Sequence, residues 1–590
     1  MKDMFKTLGK SVREYKKYAL VTPLFVTVEV VLEILIPLLM ANLIDKGIYA
    51  GEMNMIFKIG LQLVFASLIA LFFGCASGVT ASKASAGFAK NLRQDLYYKV
   101  QDFSFSNIDK FSSASIVTRL TTDVSNIQMA FQMLIRIVVR TPLMLVFSLI
   151  MAFNLNAELS LIFLALIPIV GIALALVSTK VHPIFKRVFD KYDDLNNVVE
   201  ENVRGIRVVK SYVREEEEKK KFGNISEEIF KDFSKAEKIL ALNSPVMQLA
   251  SYTSILLISW FGAKIIVNTG MTQFTTGELT SLITYAIQIL TSLMMITMLL
   301  VMGTMAKTSA ERIFEILKEV PDLANGENPI KEVKNGEIEF NNVSFSYVNK
   351  KDKECLKNIN IKIKSGETIG IIGGTGAGKS SFVNLIPRLY DTTEGEVKVA
   401  GINVKNYDLE SLRNEVAMVL QKNELFSGTI YDNLRWGDLN ATDEECQKAC
   451  EIAQASEFIA RFKDGYNTHI EQGGNNVSGG QKQRLWIARA LLKKPKVLIL
   501  DDSTSAVDTA TDAKMRKAFR EDLSYMTKII IAQRISSVQD ADKILVLEDG
   551  KITGFANHDE LMKTNEFYSS LYLSQLNGSG DFDEGGEMDA

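Results

Sequence analysis

Long apolar runs in the first half of the chain constrain its fold more than any other feature. Four runs carry no charged side chain: residues 59–82, 159–179, 239–263 and 279–306. Each is long enough for the helix of about 20 residues that crosses the hydrocarbon core of a bilayer. Two further runs, residues 18–44 and 137–157, are interrupted by charges. We expect six spans. The alternative is that the interrupted runs lie in the interface, which leaves four.

The distribution of Lys and Arg predicts the orientation of these spans. Basic residues ahead of the first run are Lys2, Lys6, Lys10, Arg13, Lys16 and Lys17. The connections at roughly 83–127 and 180–238 are long and basic, whereas the others, near 45–55, 154–158 and 268–278, are short and nearly free of basic residues. Because basic residues concentrate on the cytosolic side, we expect a multi-pass membrane protein with both termini in the cytosol.

The long cytosolic connections are rich in helix formers and poor in Pro and Gly. We therefore expect a membrane domain over residues 19–320 whose helices continue into the cytosol. Short bends are expected near Ser106–Val117 and Gly205–Arg214, where they could touch a soluble domain.

The segment ahead of the first span, residues 1–18, has an apolar face. Four residues share that face at helical spacing: Phe5, Leu8, Val12 and Tyr15. Basic residues lie elsewhere around the helix, which is typical of a helix lying in the membrane interface. The apolar run that follows is longer than the core of a signal peptide, so we expect no cleavable leader.

Four charged residues are predicted to lie at membrane depth. Glu29 and Glu33 are one turn apart in the first span, and Arg136 and Arg140 are one turn apart in the third. Such charges usually face protein or water and are functional candidates. They could line a pathway for cationic cargo. They could equally form an ion pair between two helices, with Arg136 snorkelling to the interface.

Beyond about residue 320 the composition becomes that of a soluble domain. Residues 321–335 read as a linker, residues 336–576 as the domain and the Gly-rich acidic stretch 577–590 as a disordered tail. The net charge of −3 gives no sign of a nucleic-acid partner. The cysteines show neither metal-site spacing nor a disulfide framework.

A glycine-rich loop follows a buried strand in this domain. Its residues are Gly373, Gly374, Thr375, Gly376, Ala377, Gly378, Lys379, Ser380 and Ser381. A strand, a Gly-x-x-x-x-Gly-Lys-Ser loop and then a helix form the context in which backbone N–H groups cradle phosphates. The sequence predicts an ATP site in which Lys379 reaches the β- and γ-phosphates and the Ser380 hydroxyl binds Mg²⁺.

Two further segments belong to the same chemistry. Val497–Asp501 is a buried strand ending in an acid, and Asp501 is placed to hold Mg²⁺. Ser478 can cap the helix that begins after Gly479 and Gly480, which makes a second anion site. One nucleotide does not need two such sites, so we expect the second to contact ATP bound to another domain.

These motifs, in this order with Tyr347, Gln421 and Ser505–Asp508, resemble the nucleotide-binding domain of ABC transporters. With six spans ahead of it, the chain resembles a half-transporter of the type I exporter family over roughly residues 5–576. The resemblance implies a multi-domain fold: a six-span α-helical transmembrane domain, then an α/β P-loop domain with an antiparallel β subdomain and a helical subdomain.

The resemblance also implies roles for particular residues. Tyr347 would stack on adenine, and Gln421 would sense Mg²⁺ and the γ-phosphate. A second nucleotide domain would have its site completed by the signature residues Ser478, Gly479, Gly480 and Gln481. Asp508 would contribute to the dimer seam. The two bends would be coupling helices, and the second would dock on the partner's nucleotide domain.

The sequence departs from the family pattern at two catalytic positions. Asp502 stands where the family has a general-base Glu, so its carboxylate is one methylene shorter. Gln533 stands where the family has a switch His, and it carries no charge and no titratable proton near neutral pH. His469 opens a stretch that lacks the family's usual Gly-Glu-x-Gly form ahead of the signature.

These departures, beside intact ATP-binding loops, resemble the degenerate-site subunit of bacterial heterodimeric multidrug exporters. We expect a low-turnover site here and a second, non-identical half-transporter that supplies the Glu and His. The cargo is expected to be small amphipathic drugs or lipids. The alternatives are a peptide exporter without a fused peptidase and an ATP-binding regulatory or channel-like membrane protein. An importer is disfavoured because the membrane and nucleotide domains are fused.

Overall fold

In the computed structural model, the described residues are 2–348, 350–503 and 505–576. The chain divides into two compact units. The first unit holds Met1–Gln101 and Ser112–Glu319, and the second unit holds Asp102–Phe111 and Val320–Ala590. The stretch expected to form a disordered tail, 577–590, lies outside the described residues.

The first unit is built from helices. They are α1 Lys2–Lys10, α2 Lys16–Leu43, α3 Met53–Gln101, α5 Ser113–Thr118, α6 Val124–Leu155, α7 Ala157–Arg204, α8 Ile206–Ser211, α9 Glu215–Leu240, α10 Asn243–Thr269 and α11 Thr276–Lys318, while α4 Phe105–Lys110 belongs to the second unit. Two π-helical turns, Ile44–Tyr49 and Arg119–Asp123, extend α2 and precede α6. Within the described residues, six helical stretches are long and apolar enough to cross a membrane. The six-span prediction is thus confirmed.

The helix α3 shows how far these elements extend. It has 49 residues and is about 74 Å long, more than twice the thickness of a hydrocarbon core. The C-terminal half of α3 carries small buried residues such as Ala81, Ala84 and Gly87, which let neighbouring helices approach closely. A Cβ at Gly87 would lie 2.4 Å from the ring of Tyr15, so only glycine fits there.

The N-terminal helix α1 packs on the rest of the first unit. Leu8 and Val12 are buried, whereas Phe5 is 62% exposed. Tyr15 lies against Gly87 of α3. The predicted apolar face is therefore shared between a protein-facing part and an outward-facing part.

A charged layer joins three helices of the first unit at membrane depth. The Arg140 guanidinium of α6 donates to Glu29 Oε1 at 3.1 Å and to both carboxylate oxygens of Glu33 at 2.8 Å, across to α2. Ser77 of α3 donates to Glu29 Oε2 at 3.2 Å. A Cβ at Gly74 would come within 3.2 Å of Glu29 Oε1. For Glu29, Glu33 and Arg140, the contacts are those of the ion pair.

The bends expected in the cytosolic connections form the short helices α4 and α8. In the second unit, side-chain hydrogen bonds connect α4 to Val320 and to residues beyond it. The Tyr390 hydroxyl donates to Asp109 Oδ2, and the Ser106 hydroxyl donates to Asp322 Oδ2, both at 2.7 Å. The helix α8 of the first unit has exposed apolar residues at and beside it, among them Val208 and Val213.

The second unit contains two main sheets. The strands are β1 Ile338–Phe345, β2 Leu356–Ile363, β3 Thr368–Gly373, β4 Glu394–Val399, β5 Ile402–Asn403, β6 Val416–Val419, β7 Gly428–Thr429, β8 His469–Ile470, β9 Val497–Asp501, β10 Thr527–Ile531, β11 Lys543–Glu548 and β12 Lys551–Ala556. A six-stranded sheet has the order β12-β11-β3-β10-β9-β6, and only β12 runs antiparallel to its neighbour. A four-stranded antiparallel sheet has the order β2-β1-β4-β5.

Helices cover these sheets and form a separate helical part. They are α12 Lys379–Asn384, α13 Leu409–Glu415, α14 Ile430–Leu434, α15 Asp443–Ile452, α16 Ser456–Ile459, α17 Gly479–Leu492, α18 Thr509–Glu521, α19 His558–Thr564 and α20 Glu566–Leu576. The predicted fold class, six apolar helices followed by an α/β domain with an antiparallel subdomain and a helical subdomain, is confirmed. The carboxyl ends of β3, β9 and β10 meet at one edge, where ligands of such sheets bind.

The stretch expected to be a linker, residues 321–335, belongs to the second unit. The Ile330 N–H donates to the Asn406 carbonyl at 2.9 Å, and Val333 is buried. The segment is therefore attached to this unit at particular points, while most of its residues are exposed.

Candidate nucleotide site

The glycine-rich loop begins where the buried strand β3 ends. A Cβ at Gly373 would lie 2.2 Å from the Leu547 carbonyl oxygen, so the loop can leave the sheet here only through glycine. Gly378 has φ +96° and a virtual Cβ 2.7 Å from the Cys355 carbonyl oxygen. The helix α12 starts directly afterwards. Close packing and a left-handed backbone thus account for these two glycines.

The Lys379 ammonium points back across the loop. Its Nζ donates to the carbonyls of Gly373 at 2.7 Å and Gly374 at 2.8 Å. Burial lowers the pKa of Lys379, while the carboxylates of Asp501 and Asp502 act in the opposite direction. A desolvated ammonium beside a loop of backbone N–H groups is suited to bind an anion of high charge.

A place for a divalent cation lies next to the lysine. The Ser380 side chain lies beside the Asp501 carboxylate at the end of β9. Burial raises the pKa of Asp501, which means that the charged carboxylate lacks full compensation from its surroundings. Hydroxyl and carboxylate oxygens are ligands that Mg²⁺ accepts, and a cation would supply that compensation. Ser380 and Asp501 therefore fit Mg²⁺.

Asp502 is held by two carboxamides. Its Oδ2 accepts from Gln533 Nε2 at 2.8 Å and, more loosely, from Gln421 Nε2 at 3.5 Å. Burial raises the pKa of Asp502, and these two hydrogen bonds partly oppose the rise. The residue also has φ +48°, which is unusual for a side chain with a Cβ. Asp502 and Gln533 line a polar cavity of about 130 Å³.

The predicted signature forms a capped helix start. The Ser478 hydroxyl accepts from the Gln481 N–H, and the Gln481 side chain accepts from the Ser478 N–H at 2.9 Å. A Cβ at Gly480 would lie 2.7 Å from the Ala506 carbonyl oxygen. The cap and the close packing against Ala506 thus fix the backbone at the N-terminal end of α17, a helix of 14 residues whose positive end suits an anion.

Sequence reasoning missed Gln483, which ties the signature helix to the loop after β9. Its Oε1 accepts from the Ala506 N–H at 3.0 Å, and its Nε2 donates to the Ser505 hydroxyl at 3.3 Å. Asp508, at the end of that loop, caps α18 by accepting from the Thr511 N–H at 2.9 Å. That hydrogen bond lowers the pKa of Asp508.

Tyr347 lies at the margin of the phosphate loop. Its hydroxyl hydrogen-bonds with the Ser381 hydroxyl at 3.0 Å, and the residue is 46% exposed. The ring of Tyr390 meets it edge-on with centroids 5.0 Å apart. Tyr390, which no sequence motif indicated, thereby connects Tyr347 with Asp109 of α4. Burial raises the pKa of Tyr390.

The structure thus groups the predicted site residues into two sets. Lys379, Ser380, Asp501, Asp502 and Gln533 lie together at the edge of the parallel sheet. The second set, Ser478–Gln481, is joined to the loop that follows Asp502.

Comparison with known proteins agrees with this geometry. Residues 20–293 match the family described as ABC transporter transmembrane region, and residues 356–505 match the family described as ABC transporter. The uncharacterized ABC transporter ATP-binding protein YfiB of Bacillus subtilis (strain 168) is 36% identical over 568 residues, covering 96% of this chain and 98% of that protein. The uncharacterized ABC transporter ATP-binding protein Rv1273c of Mycobacterium tuberculosis is 33% identical over 573 residues, covering 96% and 97%.

A solved structure described as a bacterial Atm1-family ABC exporter with ATP bound has the same fold. It superposes with a TM-score of 0.80 at 22% identity and covers 96% of this chain and 98% of that chain. The chain belongs to the ABC transporter family. It is a multi-pass membrane protein, a half-transporter in which a transmembrane region is followed by an ABC ATPase domain, the kind of domain that binds ATP with Mg²⁺. ABC exporters, whose fold this chain shares, work as dimers in a lipid membrane.

Proposed function

We propose that this chain is the degenerate-site subunit of a heterodimeric ATP-driven exporter in the bacterial cytoplasmic membrane. It holds ATP at its own phosphate loop with low turnover. It supplies Ser478–Gln481 to the catalytic site of a non-identical partner, which has Glu and His at the positions of Asp502 and Gln533. The observation that carries the proposal is the hydrogen bond between the Gln533 carboxamide and Asp502.

The chemistry of hydrolysis explains why this contact matters. A general base must accept a proton from the attacking water, and it must reach that water. The Asp502 carboxylate is one methylene shorter than Glu, and its Oδ2 is already engaged by Gln533 at 2.8 Å. A carboxamide cannot take or give a proton near neutral pH. The raised pKa of Asp502 reflects burial and does not replace the missing reach.

Binding of ATP needs none of these altered groups. Lys379 and the loop N–H groups would hold the phosphates. Ser380 and Asp501 would hold Mg²⁺, with Gln421 nearby. Tyr347 would stack on adenine. Mg²⁺, when bound, neutralises phosphate charge. The capped start of α17 keeps its N–H groups and helix dipole available for the phosphates of ATP on the partner.

The transport cycle follows from this division of labour. ATP held between the two nucleotide domains draws them together, and the bends at α4 and α8 pass the movement to the membrane helices. The cargo is a small amphipathic drug or lipid taken from the membrane. The salt bridges of Arg140 with Glu29 and Glu33 neutralise one of the two acidic charges at this depth.

Turnover of the chain by itself tests the proposal. The full chain, reconstituted alone in lipid nanodiscs, is expected to bind MgATP but to hydrolyse it slowly. Reconstitution with the half-transporter that copurifies with it is expected to raise turnover, and that second chain is expected to carry the Glu and the His. Robust ATPase activity of this chain alone would overturn the degenerate-site assignment.

Replacement of Tyr347 tests the nucleotide pose. Tyr347→Ala is expected to weaken MgATP binding by about 5- to 150-fold, since stacking of a base on an aromatic ring contributes about 1–3 kcal/mol. Tyr347→Phe keeps the ring, loses only the hydroxyl contact with Ser381 and serves as the matched control. Equilibrium binding of a fluorescent ATP analogue gives both values. Equal weakening by both variants would place the adenine elsewhere.

A further inference from the structure

A side chain of the last described helix, α20, hydrogen-bonds to the backbone beside the nucleotide site. Gln575 lies in the final turn of α20, and its carboxamide makes two hydrogen bonds to the segment after β10. Its Nε2 donates to the Gln533 carbonyl at 2.9 Å, and its Oε1 accepts from the Ile535 N–H at 2.9 Å. Both bonds go to main-chain atoms, so they do not depend on the identity of the side chain at position 533.

The helix that carries Gln575 is itself anchored. Tyr568 is fully buried, and its hydroxyl hydrogen-bonds with His558 Nδ1 at 2.7 Å. The Tyr568 N–H donates to Asn565 Oδ1 at 2.8 Å, which fixes the start of the helix. Gln575 lies about two turns further along, so the position of its carboxamide is set by the packing of α20.

The segment to which Gln575 hydrogen-bonds includes Gln533, whose side chain contacts Asp502. Gln533 bonds through its side chain to Asp502 and through its carbonyl to Gln575. A shift of about 1 Å in a group at a catalytic centre can change the rate by about 100-fold. We therefore expect the orientation of the side chain at position 533 to depend on the two hydrogen bonds that Gln575 makes to the backbone of this segment.

We infer that Gln575 is a positioning residue of the nucleotide site, and that α20 fixes the loop bearing residue 533 through its two-point contact. The carboxamide provides a donor and an acceptor on neighbouring atoms without adding charge. The inference concerns the site of the proposed function. It rests on that function only for its turnover measurement, because the backbone contact exists whether or not the site is degenerate.

Hydrogen exchange in the full native chain tests the contact directly. Gln575→Ala is expected to speed exchange of the Ile535 amide by about three- to tenfold, because the variant removes the oxygen that accepts from this N–H. The exchange rates of amides in β9 and β10 should stay unchanged. Gln575→Glu retains the acceptor and should leave Ile535 close to its native rate. Leu573→Ala, at an exposed position of the same helix, is the control. Unchanged exchange at Ile535, or faster exchange throughout the domain, would overturn the inference.

Turnover separates positioning from a purely structural role. The background is the double variant Asp502→Glu with Gln533→His, in which hydrolysis is expected to be measurable. There, Gln575→Ala should lower kcat about three- to tenfold and leave KM for MgATP within about twofold. Equal effects of Gln575→Ala and Leu573→Ala would argue against positioning. If the background itself stays slow, the proposed function is in question and exchange at Ile535 alone decides on Gln575.

The Gln575→Glu variant adds a pH signature. The ionised carboxylate cannot donate to the carbonyl of residue 533, whereas the protonated acid can. Relative to the background without this change, turnover should therefore be lowest at high pH and recover as the pH falls. A ratio that does not vary with pH would show that the donor half of the contact has no role.

Discussion

The double replacement Asp502→Glu with Gln533→His is expected to raise ATP turnover at this chain's own phosphate loop by about 100-fold. Glu extends the carboxylate by one methylene toward the water. His replaces the carboxamide that now occupies Asp502 Oδ2 at 2.8 Å, and it adds a group that titrates near neutral pH. The measurement is kcat at saturating MgATP for the full chain reconstituted alone.

The single variants show which change limits the reaction. Asp502→Glu alone leaves the Gln533 amide beside the new carboxylate, so a smaller rise is expected. Gln533→His alone frees a carboxylate that remains too short. Asp522→Glu, the same chemical change at an exposed position, is the control and should leave turnover unchanged. An unaltered rate in a double variant that still binds ATP would point to another disabling feature, such as the stretch that opens with His469.

Removal of the Arg140 guanidinium is expected to destabilise the packing of the membrane helices. Arg140→Gln leaves Glu29 and Glu33 without their shared cation, and Glu29 is only 6% exposed. Breaking a buried ion pair by removing one partner costs about 3–5 kcal/mol. Thermal unfolding in detergent, followed by the loss of monodisperse protein, gives the measurement.

A variant without these three charges distinguishes the effect of an unpaired charge from the effect of lost packing. The triple variant Glu29→Gln, Glu33→Gln and Arg140→Gln removes the imbalance and should recover most of the lost stability. Arg136→Gln, one turn away on α6, is the matched control and should have a smaller effect. If Arg140→Gln were as stable as the native chain, the carboxylates would have another source of compensation, and a cation-binding pathway would regain support.

Much of the architecture could be predicted from the sequence, because its causes are local. A run such as 59–82 can leave water only as a membrane helix, and Gly373–Ser381 after a buried strand has one well-known use. Even so, the sequence left open whether Glu29 meets Arg140. That outcome depends on how α2 and α6 rotate about their axes, which short-range periodicity does not determine.

The features of the nucleotide site that could not be predicted from the sequence depend on contacts between residues far apart in the chain. Gln575 acts on Gln533 across 42 positions, and Tyr390 acts on Asp109 across 281. Neither residue stands in a recognisable motif, and a lone Gln or Tyr has no periodic signature. Asp502 and Gln533 were identified as departures from a family pattern, but their mutual hydrogen bond became visible only with the strands β9 and β10 in register.

The helix α4 has a consequence for dissecting this protein into fragments. It lies far ahead of Val320 in sequence, yet it belongs to the second compact unit. A soluble fragment that starts at Val320 would leave the Tyr390 hydroxyl and the Asp322 carboxylate without the partners they have in the intact chain. Supplying α4 as a separate peptide would be one way to complete such a fragment, much as a missing strand can be returned to a sheet. The nucleotide domain is therefore continuous in space but not in sequence.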